Sequence, residues 1–104
     1  MKNSTIPKGL SDEAAGFYAR LAKEYGIIDA GGLALLGQAC EALDRLRQAQ
    51  AILVEEGIIY RDRFGQPHQH PASLSERDAR NQLLKALSML NLDVELPASA
   101  TGKR

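Results

Sequence analysis

The residues best suited to catalysis or metal binding in this chain are its two histidines, His68 and His70. Both lie in the segment 57–71, GIIYRDRFGQPHQHP. Imidazoles two residues apart can ligate a metal ion or move a proton. A metal site needs at least three ligands around one point, and this segment adds Asp62 as its one further candidate. No serine or cysteine nucleophile lies beside a histidine at a recognisable spacing. We therefore predict no metal site, no catalytic residue and no cofactor.

Turn chemistry favours a structural β-hairpin for this segment. Residues 58–61 are mostly β-branched or aromatic, which is typical of a strand. Asp62 at the first position and Gly65 at the fourth favour a type I turn with Gly65 in the left-handed region. The return strand is then 66–70.

In that register, Tyr60 faces His68 and Ile58 faces His70, so the two histidines share one face of the hairpin. A slip of one residue would change both pairs. The sequence thus predicts a hairpin in which the histidines pack against their strand neighbours and the arginines remain exposed to a partner.

The remaining motifs do not indicate an enzyme. Residues 32–37, GLALLG, resemble the start of a phosphate loop, but Gln38 and Ala39 follow where Lys and Ser or Thr are required. The glycines are expected to mark a close approach or a mobile helix start. Cys40 is the single cysteine, so one chain can build neither a disulfide nor a multi-cysteine zinc site, and we expect the thiol to be packed in a helix.

Three helices are predicted around the hairpin, which makes the fold mainly α. The first runs over 12–25 after Ser11, an N-cap residue, and the second, long helix runs from a cap at Asp29 to Glu56. Ser73 and Glu76 match a capping box, which predicts that a third helix begins there and continues to about Asn91.

The domain organisation follows from these elements. We expect residues 1–10 to be a flexible arm and residues 11–91 to form a single helical domain with the hairpin at 58–70. Residues 92–104, broken by proline and glycine, are expected to be a mobile tail.

The long helix carries a row of apolar residues with the 4, 3, 4, 3, 4 spacing of a coiled-coil seam. The row consists of Leu35, Ala39, Ala42, Leu46, Ala49 and Leu53. We predict that this row contacts other copies of the chain. The alternative is that it is buried entirely within one domain. Arg45 and Arg47 lie among acidic residues beside the row and are assigned to pairing within the helix or between chains.

The charge balance limits how the chain can bind nucleic acid. Thirteen Lys and Arg equal thirteen Asp and Glu, so binding must come from a local patch or from many subunits together. The candidate DNA contacts are Lys2, Lys8, Arg20, Lys23, Arg61 and Arg63. Arg20 and Lys23 are the better pair because their i, i+3 spacing places them on one helix face. The alternative for each is an ordinary solvated charge.

The order of elements from about Ile6 to Pro97 resembles that of the small subunits of phage terminases. The residues that carry the resemblance are Gly57-Ile58-Ile59, His70-Pro71, and Leu90-Asn91-Leu92 with Pro97 downstream. The resemblance implies a non-enzymatic protein that forms a ring of identical subunits, recognises double-stranded viral DNA and brings it to the large terminase subunit. The ATPase and nuclease chemistry would belong to that large subunit, and the setting would be the cytoplasm of the host cell.

Two other functions fit the sequence. A helix-turn-helix regulator would use the first two helices with Gly26 between them, but its recognition helix would begin Asp29-Ala30-Gly31-Gly32, which is poorly suited to contact bases. A helical structural adaptor without DNA contact is compatible with the zero net charge. A membrane partner is not expected, because no apolar run approaches the ~20 residues of a membrane span.

Overall fold

The computed structural model describes residues 6–92. Its elements in chain order are α1 (Asp12–Glu24), α2 (Ala30–Glu56), β1 (Ile59–Arg61), β2 (Pro67–Gln69) and α3 (Pro71–Met89). The two strands form an antiparallel hairpin. The predicted fold class is confirmed: the protein is mainly α, with a long central helix and a small hairpin between the second and third helices.

The start of α1 is capped and tied to α2 through the same residue. The Ser11 hydroxyl accepts from the N–H of Ala14 at 3.1 Å, as its N-cap role predicts, while the Ser11 N–H donates to Asp44 of α2 at 2.8 Å. Arg47, assigned to pairing within its helix or between chains, bonds Gln50 in its own helix. It also forms an ion pair with Glu13 of α1 at 3.0 Å.

Helix α2 has the bounds that its flanking residues predict. The Asp29 carboxylate accepts from the N–H of Gly32 at 2.8 Å, and Gly57, with φ of 85°, ends the helix. A Cβ at Gly32 would lie 2.9 Å from both Asp29 Oδ1 and the Ile27 side chain. At Gly37 a Cβ would lie 3.3 Å from the Pro7 ring. The glycines of this helix start thus permit the close approach that the sequence indicated.

The predicted N-cap of α3, Ser73, is wrong by three residues. The helix begins at Pro71, and its N-cap is His70, whose Nδ1 accepts from the N–H of Ala72 at 3.0 Å. Proline suits the first helical turn because its φ is already helical and its missing N–H would have had no partner in the helix. Glu76, expected to close a capping box, instead forms an ion pair with Arg80 at 3.3 Å.

The core lies where α3 and α1 pack against α2. It contains Ala14, Phe17, Tyr18, Leu21, Leu36, Ala39, Cys40, Ala42, Leu43, Leu46, Ala79, Leu83, Ala86 and Leu87. Ile6 and Leu10, from the segment expected to be an arm, and Leu92, from the expected tail, pack partly against this core. Residues 1–5 and 93–104, which include Lys2 and most of the expected tail, lie outside the described residues. No helix within 6–92 is long and apolar enough to cross a membrane.

Candidate nucleic-acid and assembly surfaces

The hairpin has the predicted register. Tyr60 pairs with His68, and a hydrogen bond joins His70 N–H to the carbonyl of Ile58. The Tyr60 and His68 rings stack with their centroids 5.5 Å apart, and the His70 ring meets Tyr60 edge-on at 6.1 Å. Both histidines therefore lie on one face with Tyr60, as the alternation of strand side chains requires.

Asp62 holds the turn in place. Its Oδ1 accepts from the N–H groups of Phe64 and Gln66 at 2.9 and 3.0 Å, and its Oδ2 lies 2.8 Å from His68 Nε2. The hydrogen bond from His68, followed by those from the backbone, lowers the pKa of Asp62 below its usual value. Gly65, with φ of 79°, donates its N–H to the Asp62 carbonyl at 2.9 Å and confirms the predicted turn.

His70 links the end of α2 to the start of α3. Because its Nδ1 accepts from the backbone, its Nε2 carries the proton and donates to Glu56 at 2.7 Å. Each histidine nitrogen at this junction is thus engaged in holding structure. Among residues 6–92, no group of three or more His, Cys, Asp or Glu side chains is placed to hold a metal ion.

The arginines of the hairpin are exposed at its tip. The Arg61 guanidinium donates to the Gly65 carbonyl at 2.7 Å. The Arg63 guanidinium lies 5.2 Å from the centroid of the Phe64 ring, which is itself 76% exposed. The tip therefore presents two cations and an aromatic ring to solvent on a braced turn.

Arg20 and Lys23 lie exposed near the other end of the molecule. Arg20 stands 5.4 Å from the centroid of the Phe17 ring, and neither cation forms an ion pair with a residue in the described part of the chain. Since α1 ends beside the start of α2 and the hairpin follows its other end, these cations are separated from Arg61 and Arg63 by most of the helix. Lys8 is exposed before α1. The candidate cations within residues 6–92 therefore do not form one patch on a single chain.

The apolar row of α2 is mostly core and not a free surface. Ala39, Ala42, Leu46 and Ala49 are between 0% and 3% exposed within the single chain. The physical reason is that α3 and α1 flank α2 and cover these four residues within the single chain. Leu35 and Leu53, near the two ends of the row, remain half-exposed.

Sequence reasoning missed a groove beside that row, between α2 and α3. Its half nearer the hairpin has a volume of about 500 Å³ and is lined by Gln48, Ile52 and Asp78 among others. The other half, of about 490 Å³, includes Leu35 and Met89, and the two halves share Arg45 and Gln82. The sequence does contain a pattern that could have indicated the groove. It is a second row on α2, at 38, 41, 45, 48 and 52, with the same 3, 4 spacing but mostly polar residues.

The hairpin end also concentrates exposed apolar side chains. Seven of the eleven large hydrophobic residues exposed within 6–92 lie there. They are Ile52, Val54, Ile58, Ile59, Tyr60, Phe64 and Leu74. The hairpin end is therefore the most apolar exposed surface among the described residues.

Cys40 is packed, as predicted. It is fully buried, and burial, with smaller contributions from the charges of Asp44 and Glu41, raises its pKa to about 12. The thiol therefore stays protonated at neutral pH and is neither a nucleophile nor a ready metal ligand.

No curated protein and no solved structure matches the chain. A family model described as phage terminase, small subunit, matches residues 16–99. The match extends from α1 through the hairpin and α3, which are the elements on which the sequence resemblance was based. Proteins of this family are generally non-catalytic. The chain belongs to the phage terminase small subunit family.

Proposed function

We propose that the chain is a non-catalytic, DNA-recognising subunit that assembles with copies of itself into a ring. The assembly brings double-stranded viral DNA to the large terminase subunit in the host cytoplasm. The match of the family model over residues 16–99 is the observation that carries the proposal. The engaged histidines and the protonated thiol support a non-catalytic role, because they leave no activated nucleophile among the groups identified from the sequence.

DNA contact is proposed first for Arg20 and Lys23, and also for the other candidate cations, which are Lys2, Lys8, Arg61 and Arg63. Arg20 and Lys23 are exposed, share a face of α1 and have no ion-pair partner among the described residues. Two cations neutralise few phosphates, and each phosphate contributes only about −0.9 to the log–log salt dependence of binding. Repetition of the pair around an assembly raises the effective concentration of every contact after the first. Affinity then comes from the number of subunits.

The surfaces proposed for assembly are those that the single chain leaves uncovered. The groove between α2 and α3 contains Leu35, a half-exposed member of the predicted row, together with Met89. The apolar hairpin end provides a second surface at the other end of α2. The buried members of the predicted row pack in the core beneath these surfaces.

A transcriptional regulator is less well supported. In a helix-turn-helix arrangement the start of α2 would contact bases, but the Asp29 carboxylate there is occupied by the Gly32 N–H. Gly32 itself is buried and offers no side chain. The first turn of α2 contains no basic residue.

The test compares DNA binding by wild type and by Arg20→Ala with Lys23→Ala, using packaging-site and random duplexes at two salt concentrations. The control is Arg77→Ala with Arg80→Ala, which removes an i, i+3 pair of cations from α3 and changes the net charge equally. We expect only the α1 variant to lose affinity and salt dependence. Equal losses in both variants would indicate a general charge effect. No binding by wild type would favour the structural adaptor.

A further inference from the structure

Phe64 is an isolated apolar side chain at the hairpin tip, which we define as residues 61–67. Its ring is 76% exposed and does not belong to the hydrophobic core. Its neighbours in the tip are arginine, aspartate, glycine, glutamine and proline. The other exposed apolar residues of the hairpin end lie outside the tip, between 52 and 60 and at 74. The ring therefore stands apart from the apolar cluster, in polar and charged surroundings.

The backbone that carries this ring is fixed by hydrogen bonds. The N–H of Phe64 donates to Asp62 Oδ1 at 2.9 Å, and the N–H of Gly65 donates to the Asp62 carbonyl at 2.9 Å. The Arg61 guanidinium donates to the Gly65 carbonyl at 2.7 Å. Because the turn is already ordered, its backbone loses little conformational freedom when the tip binds a partner.

The charges around the ring are complementary to a polyanion. Arg61 and Arg63 are both exposed, and the Arg63 guanidinium lies 5.2 Å from the centroid of the Phe64 ring. Asp62 is the one acidic residue of the tip. Its carboxylate is occupied by the turn, since it accepts from two backbone N–H groups and lies 2.8 Å from His68 Nε2. The tip thus presents an aromatic ring with two arginines, which are suited to bind phosphates.

The hairpin has the shape to reach into a groove of DNA. The residues of β1 and β2 are all exposed, and the two strands pack mainly on each other and not on the helices. Three strand residues span about 10 Å, which exceeds the roughly 7.5 Å depth of the minor groove. Two-stranded ribbons lie in the grooves of DNA in several classes of DNA-binding protein. Phenylalanine is among the side chains that such proteins insert between base steps from the minor groove.

We infer that Phe64 is a wedge, which inserts between two neighbouring base pairs of duplex DNA from the minor groove and kinks the duplex. Arg61 and Arg63 bind phosphates beside the opened step. The wedge rests on the proposed function, because it takes duplex DNA as its partner. Each chain makes this contact by itself, so the contact is compatible with any number of subunits in the ring. The apolar residues outside the tip remain available for assembly.

The wedge selects its site by the deformability of the DNA. Pyrimidine–purine steps, TA above all, are the steps that unstack and kink most easily. A phenyl ring makes no hydrogen bond to a base edge, so it distinguishes sequences by the cost of opening a step. We therefore expect the tip to favour a duplex that contains a TA step.

The first experiment measures kinking by the full chain. Two duplexes of about 30 base pairs, roughly 100 Å long, carry a donor and an acceptor dye at their ends. One duplex is homopurine on one strand and has no pyrimidine–purine step, whereas the other has one central TA step with a fluorescent adenine analogue that brightens on unstacking. Wild type should kink the TA duplex by about 20 to 90°, raise the emission of the analogue and bind the homopurine duplex more weakly.

The second experiment separates the wedge from the phosphate contacts. At saturation, Phe64→Ala should lose the kink and the rise in emission, and its affinity for the TA duplex should fall about tenfold. Phe64→Leu should retain the kink, because leucine also acts as a wedge. Arg63→Gln should kink the DNA at saturation but lower the salt slope by about 0.9 for each tip that binds a phosphate. Leu84→Ala, which removes an exposed apolar side chain from α3, is the control and should resemble wild type.

The outcomes distinguish the wedge from the proposed function, once circular dichroism has confirmed the helicity of each variant. If wild type binds DNA without a kink, or Phe64→Ala kinks it as wild type does, the wedge is wrong and the proposed function stands. If Phe64→Ala leaves the kink unchanged but lowers the assembled mass in sedimentation equilibrium, the tip contacts protein, which also overturns the wedge. If wild type binds neither duplex, the proposed function fails and the wedge fails with it.

Discussion

His70 Nε2 lies 2.7 Å from Glu56 Oε1, across the junction where α2 ends and α3 begins. The same imidazole caps α3 through Nδ1, so one side chain satisfies groups at the ends of two helices. His70, which the sequence marks as a candidate for catalysis or metal binding, is therefore a structural link between helices.

The first prediction concerns this link. His70→Ala should lower the free energy of unfolding by about 1 to 2 kcal/mol, because the N-cap and the contact with Glu56 are both lost. His70→Asn should lose less, since asparagine can still cap the helix. In urea denaturation, the free energy of unfolding should decrease in the order wild type, His70→Asn, His70→Ala. Equal losses in both variants would show that the cap contributes nothing.

The second prediction concerns the pH dependence of the turn. Because the folded pKa of Asp62 is lowered, its contribution is fully present above the usual aspartate pKa and is lost as the pH falls through the folded value. The Phe64 and Gln66 amide resonances should therefore shift together in acid. In Asp62→Asn that coordinated shift should disappear. Its persistence in the variant would assign the transition to another group.

The third prediction separates core from surface in the apolar row of α2. Leu46→Ala should cost about 2 to 5 kcal/mol of stability because it leaves a cavity in the core. Leu53→Ala, at a half-exposed position, should cost less than about 1.5 kcal/mol. Chemical denaturation measures both. Similar small losses would mean that Leu46 is a surface residue. Leu46→Asp should unfold the chain, so it cannot report on assembly.

The fourth prediction uses the thiol as a probe of packing. With its pKa raised to about 12, Cys40 should react with a thiol reagent at pH 8 more than about a hundredfold slower in native protein than in urea. The released chromophore of a disulfide reagent measures the rate. Rapid reaction of the native protein would show that α2 opens readily around this residue.

The fifth prediction concerns metal. Protein purified without an affinity tag should contain no stoichiometric zinc, and His68→Gln with His70→Gln should bind DNA as wild type does, because the histidines brace the hairpin and touch no proposed DNA contact. Atomic absorption and a gel shift test the two parts. Zinc that is present in wild type and lost in the double variant would contradict the prediction.

Local signals in the sequence were sufficient for most of the fold. Ser11 and Asp29 cap their helices as expected, and Gly57 ends α2, because capping depends on residues within one turn. The hairpin register followed from Asp62 and Gly65, since a short turn determines which residues face each other. The family resemblance also needed only the order of these elements.

The start of α3 was missed because a histidine took the place of the usual capping residues. His70 can cap the helix only while its ring is oriented, and Glu56, fourteen residues earlier, orients it. Capping rules that consider residues within one turn do not include such a contact.

Tertiary packing alone decided which side of α2 is surface. The coiled-coil spacing from Leu35 to Leu53 is the same whether the covering helix comes from this chain or from another. The face of α2 that is covered depends on contacts between residues distant in sequence. Ser11 with Asp44 and Glu13 with Arg47 are two such contacts, and they hold α1 against α2. Periodicity specifies that a face must be buried, but the partner depends on how the chain folds back, and here α1 and α3 cover most of the row.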